Sequence, residues 1–549
     1  MSDSTDSEAI PAPEGPADII ETDYEIGQNN IQPFGLDIHN PVFLISGLAV
    51  VAFVIVTLAF QTQIEPAFSA MRGFLTSKLD WFFLIAGNIF VLVCLGLLVS
   101  PLGKVRIGGV DATPDYGYLG WFAMLFAAGM GIGLMFFGVL EPVYYFGTPW
   151  GDQPLGNDLG IVDGVLADPA TVEAARSMAM ASTMYHWGLH PWAMYAVVAL
   201  ALALFAFNKG LPLTVRSIFY PIFGERIWGW PGHIIDILAV LATLFGLATS
   251  LGFGAQQASA GIGFVFGIDG INDTVTVAVF LIAGITAIAL ISVLRGLDGG
   301  VKLLSEINMG LAAILLLFVI FVGPTMTLVS QFFSNIGAYF VDLIPLSNPI
   351  GREDDGFRQG WTAFYWAWWI SWSPFVGMFI ARVSRGRTVR EFITCVLLIP
   401  TAVSMIWMTT FGGTAIEQII ERATDSAVYG YVIENYVPEL SLFGMLSELP
   451  MAQITSIIGI VLVIVFFVTS SDSGSLVIDT ITAGGKVDAP VAQRVFWCVF
   501  EGLVAAALLI GGGLVALQAM AVSTGFPFAI VLLLGCWALV KGLMAEPRA

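Results

Sequence analysis

Residues 120–146 read GWFAMLFAAGMGIGLMFFGVLEPVYYF. Glu141 is their one charged residue, and as a helix they exceed the roughly 20 residues needed to cross about 30 Å of hydrocarbon. Lipid offers no partner to an open backbone, so a run of this kind has to be helical. Yet at 129–133 it reads GMGIG, three glycines at alternate positions in a helix that must satisfy its own hydrogen bonds.

Apolar runs of similar length recur along the chain. With 57% hydrophobic and 11% charged residues over 549 positions, it is an integral membrane protein and not a string of soluble domains. Twelve spans are predicted near 41–61, 81–100, 120–146, 174–207, 233–256, 274–294, 303–329, 361–381, 390–411, 452–470, 494–514 and 517–540, which makes the fold class an all-α membrane protein. The stretch 331–345 is too short and too amphipathic to cross and is expected along the outer interface. Residues 1–40 hold nine acidic side chains and no Lys or Arg, the composition of a disordered tail with no affinity for nucleic acid. They lack the basic, apolar and small-residue succession of a cleavable signal, so insertion relies on the first span. Cys94, Cys395, Cys498 and Cys536 lie in or beside apolar spans and pack as small hydrophobes; no redox or metal framework is apparent.

Basic residues in short loops stay on the cytoplasmic side. With both termini inside, fifteen of the 21 Lys and Arg fall on inner segments and six on outer ones, a ratio that the opposite orientation would invert.

A second weak point lies five spans after the first, at Ser373-Pro374 in Trp366-Ala-Trp-Trp-Ile-Ser-Trp-Ser-Pro374. Paired interruptions at matching places in two halves point to a transporter site at the membrane midplane. Close helix packing by small residues is the alternative for the glycines. Tyr365, Trp368 or Trp369, and Trp372 recur at helical spacing and share one face. Trp187, Trp192 and Tyr195 surround Pro191, and a bend there is needed if Trp187 and Trp192 are to converge. Single tryptophans usually mark the lipid interface, but six or more aromatics at mid-span suit a cage for quaternary ammonium. Without a carboxylate in its wall, such a cage suits a zwitterion whose own carboxylate meets backbone amides at the glycine break.

No nucleotide-binding loop of the G-x-x-x-x-G-K-[ST] kind is present, which leaves an ion gradient as the energy source. Thr469 and Ser470 offer hydroxyls to sodium, or else bond back to their own helix. Asp472 is read as a cap near the helix end, with a proton carrier as the alternative. His186 and His190 have metal-pair spacing, but Trp187 stands where a zinc hydrolase needs its glutamate. Nothing resembles the nucleophile, metal or acid/base pair of an enzyme, or the polar lining of a channel.

GMGIGLMFFGVLEP (129–142), MYHWGLHPWAMY (184–195), FYWAWWISWSPFVGMF (364–379) with SRGRTVREF (384–392), and FFVTSSDSGS (466–475) together resemble the betaine/choline/carnitine transporter family over about 40–540. The resemblance implies a leucine-transporter-like inverted repeat. Two extra helices and a linker (41–119) precede halves at 120–330 and 361–541, an interfacial segment (331–360) lies between the halves, and a short tail (542–549) follows. It implies a homotrimer in a bacterial inner membrane that imports a glycine betaine-like solute by sodium symport. Dimethylsulfoniopropionate, ectoine, choline or carnitine, and proton coupling or sodium-independent exchange, remain as alternatives.

Carried over by position, the aromatic box comprises Trp187, Trp192, Tyr195 and Trp369, with Trp368 and Trp372 alongside and Gly129, Met130, Gly131 and Gly133 at the break. Sodium falls to Ala127, Met130, Phe466, Thr469 and Ser470. A possible second sodium site has Thr243 and Phe375, but Leu247 stands where a second threonine is expected. Gly133, where choline carriers tend to have Asp, favours a zwitterion.

Overall fold

A computed structural model describes residues 10–129, 131–147, 154–156, 161–162, 165–166, 168–268, 275–295 and 302–548. Helices dominate: α1 (Asn40–Ala59), α2 (Gln61–Val99), α3 (Tyr118–Gly129), α4 (Ile132–Gly147), α5 (Pro169–Trp187), α6 (Leu189–Ala203), α7 (Trp230–Phe266), α8 (Val275–Arg295), α9 (Lys302–Val322), α10 (Thr325–Ser347), α11 (Ala363–Val383), α12 (Val389–Arg422), α13 (Ala452–Thr482) and α14 (Val491–Ala545). By length and composition, nine helical segments among the described residues could cross a membrane. The expected last two spans lie on the single helix α14, which bends at Gly512 (φ 156°) and Gly513 (φ 59°, ψ −141°). α2 is twice the expected span, and α10 is longer than the amphipathic segment read from sequence because α9 already stops at Val322, before Gly323-Pro324. α10 turns Gln331 and Asn335 inward, onto Glu417 (2.7 Å) and Thr409 (3.0 Å), and exposes Phe333, Phe340 and Ile344.

Two expected interruptions behave differently. The glycine run does break: α3 stops at Gly129 and α4 begins at Ile132. Ser373-Pro374 does not, and α11 runs through Pro374 without a gap. Proline cannot donate to the Ile370 carbonyl four residues back, but the Ser373 hydroxyl does so instead at 2.6 Å, which keeps the acceptor satisfied. The break in the fourth span falls at Gly188 (φ −101°, ψ −130°), not at Pro191. Pro191 lacks the N–H for the Trp187 carbonyl and its ring crowds that oxygen, so the helix ends at Trp187, four residues ahead of the proline. The Tyr339 hydroxyl of α10 fills the gap and accepts the Leu189 N–H at 2.8 Å.

Of the stretch 1–40 expected to be a disordered tail, residues 1–9 lie outside the described residues and 10–39 run as a strap across one face. Asp18 pairs with Lys209 (2.5 Å), Asp37 with Lys486 (2.5 Å) and Glu14 with Arg385, while Tyr24 stacks on Trp228 at 4.2 Å. Each acid meets a cation from a different loop, and this compensates the ordering that composition alone argues against. Lys209 also reaches Glu546 at 2.8 Å, which joins the strap to the chain's last described residues.

Candidate functional site

α11 packs against α6, α7 and α14, so its aromatic face is enclosed. Trp369 stands edge-on to Trp187 (5.2 Å, 82°) and to Tyr195 (5.3 Å, 68°). Trp368 lies 6.2 Å from Trp369 and 6.4 Å from Trp372. These five rings and the bare backbone of Gly131 and Gly133 line one narrow cavity of ≈ 20 Å³. Trp192 does not line it: the ring is buried behind Tyr195, edge-on at 5.4 Å. Ala127 and Gly129 belong to the last turn of α3, and Met130 lies outside the described residues.

The two glycines differ. A Cβ at Gly133 would stand 2.7 Å from Trp187 Cη2 and 3.2 Å from Trp368 Cη2, so any side chain there displaces these rings. A Cβ at Gly131 would meet only ordinary neighbours, Phe466 and the Ser470 hydroxyl at 3.9 Å and Trp372 at 4.0 Å. Gly131 therefore brings the hydroxyl cluster of α13 beside the aromatic cavity.

The polar groups divide into satisfied and unsatisfied sets. Tyr195 Oη, Trp369 Nε1 and Trp372 Nε1 are buried in the wall with no hydrogen-bond partner among the described residues, whereas Trp368 Nε1 donates to Ser250 (3.2 Å) and Trp187 Nε1 to Glu141 (2.7 Å). The wall contains no carboxylate among the described residues, but the Glu141 carboxylate is bonded directly behind it. Thr469 Oγ1 donates back to the carbonyls of Val465 (3.0 Å) and Phe466 (3.2 Å). Thr243 is buried with its hydroxyl unpartnered, Phe375 packs on Trp372 at 5.6 Å, and Leu247 crowds Gly474. Asp472 is no cap: α13 continues ten residues past it to Thr482, and its buried carboxylate accepts from Ser292 at 2.5 Å. His186 and His190 turn to separate partners, Glu141 with Thr362 and Asn88, so they form no metal pair.

Two wider cavities flank the narrow one along α11. One, ≈ 400 Å³, takes Trp361 and Phe364 with Phe137, Tyr144 and Tyr436. The other, ≈ 380 Å³, takes Phe375, Met378, Phe379 and Arg382 with Ser473 and Thr480. Phe137 and Phe364 pack on Trp368 at 5.8 and 5.5 Å, and Phe375 on Trp372, so aromatic pairs stand at both ends of the narrow cavity. Phe137 and Ser250 are not among the site residues expected from sequence; Phe137 lies within GMGIGLMFFGVLEP (129–142) but packs on Trp368 from α4, and Ser250 reaches the Trp368 N–H from α7 with no local motif to mark it.

The model of the betaine/carnitine/choline family transporter (BCCT) matches residues 41–548. The chain belongs to that family. BCCT proteins are transporters and not enzymes, and this one is a multi-pass membrane protein. It is 62% identical to a glycine betaine/proline/choline transporter of Vibrio parahaemolyticus, over 99% of this chain and 98% of that protein. Glycine betaine transporter 1 of the same organism is 55% identical over 96% of this chain and 98% of its own length. A glycine betaine transporter of Bacillus subtilis is 40% identical over 88% and 91%.

Proposed function

We propose that this BCCT protein imports a glycine betaine-like zwitterion by sodium symport, presenting one aromatic site alternately to the two sides of the membrane. The carrying observation is the succession of cavities along α11, wide, narrow and wide, with the aromatic set in the narrow one. An onium head suits ring faces. The buried N–H groups of Trp369 and Trp372 and the Tyr195 hydroxyl are donors without an acceptor among the described residues, and a zwitterion's carboxylate supplies two charged acceptor oxygens where choline has one neutral hydroxyl. A volume of ≈ 20 Å³ holds about one water, so admitting a trimethylammonium group requires the rings to part. The names of the Vibrio and Bacillus relatives fit the same class of substrate.

Sodium would sit between the α3–α4 break and α13, drawing on Ser470 beside Gly131 and on Thr469 with the Phe466 carbonyl. In this reading α3–α4 and α5–α6 are single interrupted crossings, α14 makes two, and α10 makes none. That gives twelve crossings, with α3 to α9 and α11 to α14 as inverted five-crossing halves, in a homotrimer of the inner membrane with cytoplasmic termini.

The test is uptake of labelled glycine betaine into proteoliposomes with sodium, potassium or proton gradients imposed in turn. Accumulation against the solute gradient is expected with sodium alone. Accumulation driven by protons alone would reject the symport, and none under any gradient would reject the substrate class.

A further inference from the structure

Glu141 sits in α4, fully buried, and collects more polar contacts than any group lining the cavity. Its Oε2 accepts from Trp187 Nε1 and from the Tyr365 hydroxyl, both at 2.7 Å. Its Oε1 accepts from the Tyr145 hydroxyl at 2.9 Å and meets His186 Nδ1 at 2.5 Å, while His186 Nε2 contacts Thr362 Oγ1 at 2.9 Å. Four contacts meet the two oxygens of the carboxyl group, and an indole N–H can only donate, so Oε2 is fixed as the acceptor for Trp187. A burial this complete is costly unless every site is met, and here every site is.

We propose that Glu141 determines the specificity of the aromatic site by acting through Trp187. The indole is clamped at both ends, by its N–H on the carboxylate and by its far edge against Gly133, and between those ends it lines the cavity. An N–H donated to a carboxyl oxygen leaves the ring richer in electrons, and a richer ring face attracts a cation more strongly. The carboxylate itself lies outside the cavity, so it favours an onium group without offering a contact that sodium, potassium or lysine could use. Glu141 is thus a positioning residue that carries charge preference into a wall with no charge of its own. This rests on the proposal above that the cavity binds an onium zwitterion.

The test compares glycine betaine with 3,3-dimethylbutanoate, its carbon isostere, which has the same shape and carboxylate but no onium charge. Binding is read from tryptophan fluorescence of the purified protein, and uptake from proteoliposomes. Wild type is expected to prefer betaine. In Glu141→Gln the Kd and KM for betaine are expected to rise about tenfold, the isostere's inhibition constant to stay within about twofold, and Vmax to hold. Trp187→Phe, which keeps a ring but removes the N–H, is the second variant and serves if Glu141→Gln does not fold. It should lose the preference to the same degree, and adding Glu141→Gln to it should cost nothing further. Equal weakening of both ligands in Glu141→Gln would reduce the residue to a structural role, and full preference in Trp187→Phe would overturn the proposal. Failure of wild type to bind betaine would instead remove the reading of the site on which it depends.

Discussion

Alanine at Gly133 and alanine at Gly131 make a paired experiment, because the two positions are two residues apart and differ in what surrounds them. At 133 the added methyl would stand 2.7 Å from Trp187 Cη2, about 0.7 Å inside the 3.4 Å at which ordinary contact begins. Trp187 cannot swing away freely, since its N–H is bonded to Glu141 at 2.7 Å and its ring stands edge-on to Trp369 at 5.2 Å. Overpacking a fixed wall of this kind costs about 1–3 kcal/mol. If that strain falls on the site, substrate affinity drops by about 10- to 100-fold. At 131 the methyl would meet nothing closer than 3.9 Å. Uptake kinetics in proteoliposomes should therefore show a KM raised by that factor in Gly133→Ala and little changed in Gly131→Ala, with both proteins monodisperse in detergent. Matching KM values in the two variants would mean that the cavity wall is not where the structure puts it.

Ser470→Ala should raise the sodium concentration for half-maximal uptake about tenfold while leaving betaine affinity at saturating sodium unchanged; superimposable sodium curves would remove Ser470 from the ion site. Lys209→Ala leaves the buried Glu546 carboxylate without its cation, with only the Asn208 amide among the described residues still donating to it, and should lower unfolding stability by about 3 kcal/mol, read as a fall in the detergent melting temperature, with Lys209→Arg milder. Burial, reinforced by the Arg216 charge, pushes the His39 imidazole down to about 3 from 6.5. The unfolded chain then takes up a proton that the folded one refuses. Stability is full above pH 6.5 and falls by at most about 1.4 kcal/mol per unit as pH drops toward 3. His39→Asn should flatten that part of the melting profile, and an unaltered slope would contradict it.

The crossing helices and the aromatic set were legible because both are local patterns: hydropathy over about 20 residues and rings at helical spacing. What stayed hidden depends on distant partners. Glu141 gains its meaning from Trp187 and Tyr365, 46 and 224 residues away, and only Tyr145, one turn along the same helix, could have hinted at it. The strap looked disordered because its acids meet Lys209 and Lys486, 191 and 449 residues on. The continuity of α11 turned on a single hydroxyl, Ser373, doing what Pro374 cannot. The place of the α5–α6 break could have been found, since a proline acts on the carbonyl four residues behind it.

The fit of Tyr339 into the gap at Gly188 has a practical consequence. A Cβ on residue 188 would lie 2.6 Å from that phenolic oxygen, and the same oxygen caps the start of α6, three residues before Trp192 and six before Tyr195. α10 thereby meets the front of α6 at one hydrogen bond, like a handle resting on a latch, and is placed to follow that end of α6 when it moves. Phe340 and Ile344, on the outward side of that handle, are exposed and line none of the three cavities. A spin label or fluorophore at either position would record the timing of cavity opening from outside, in a protein whose own tryptophans remain untouched.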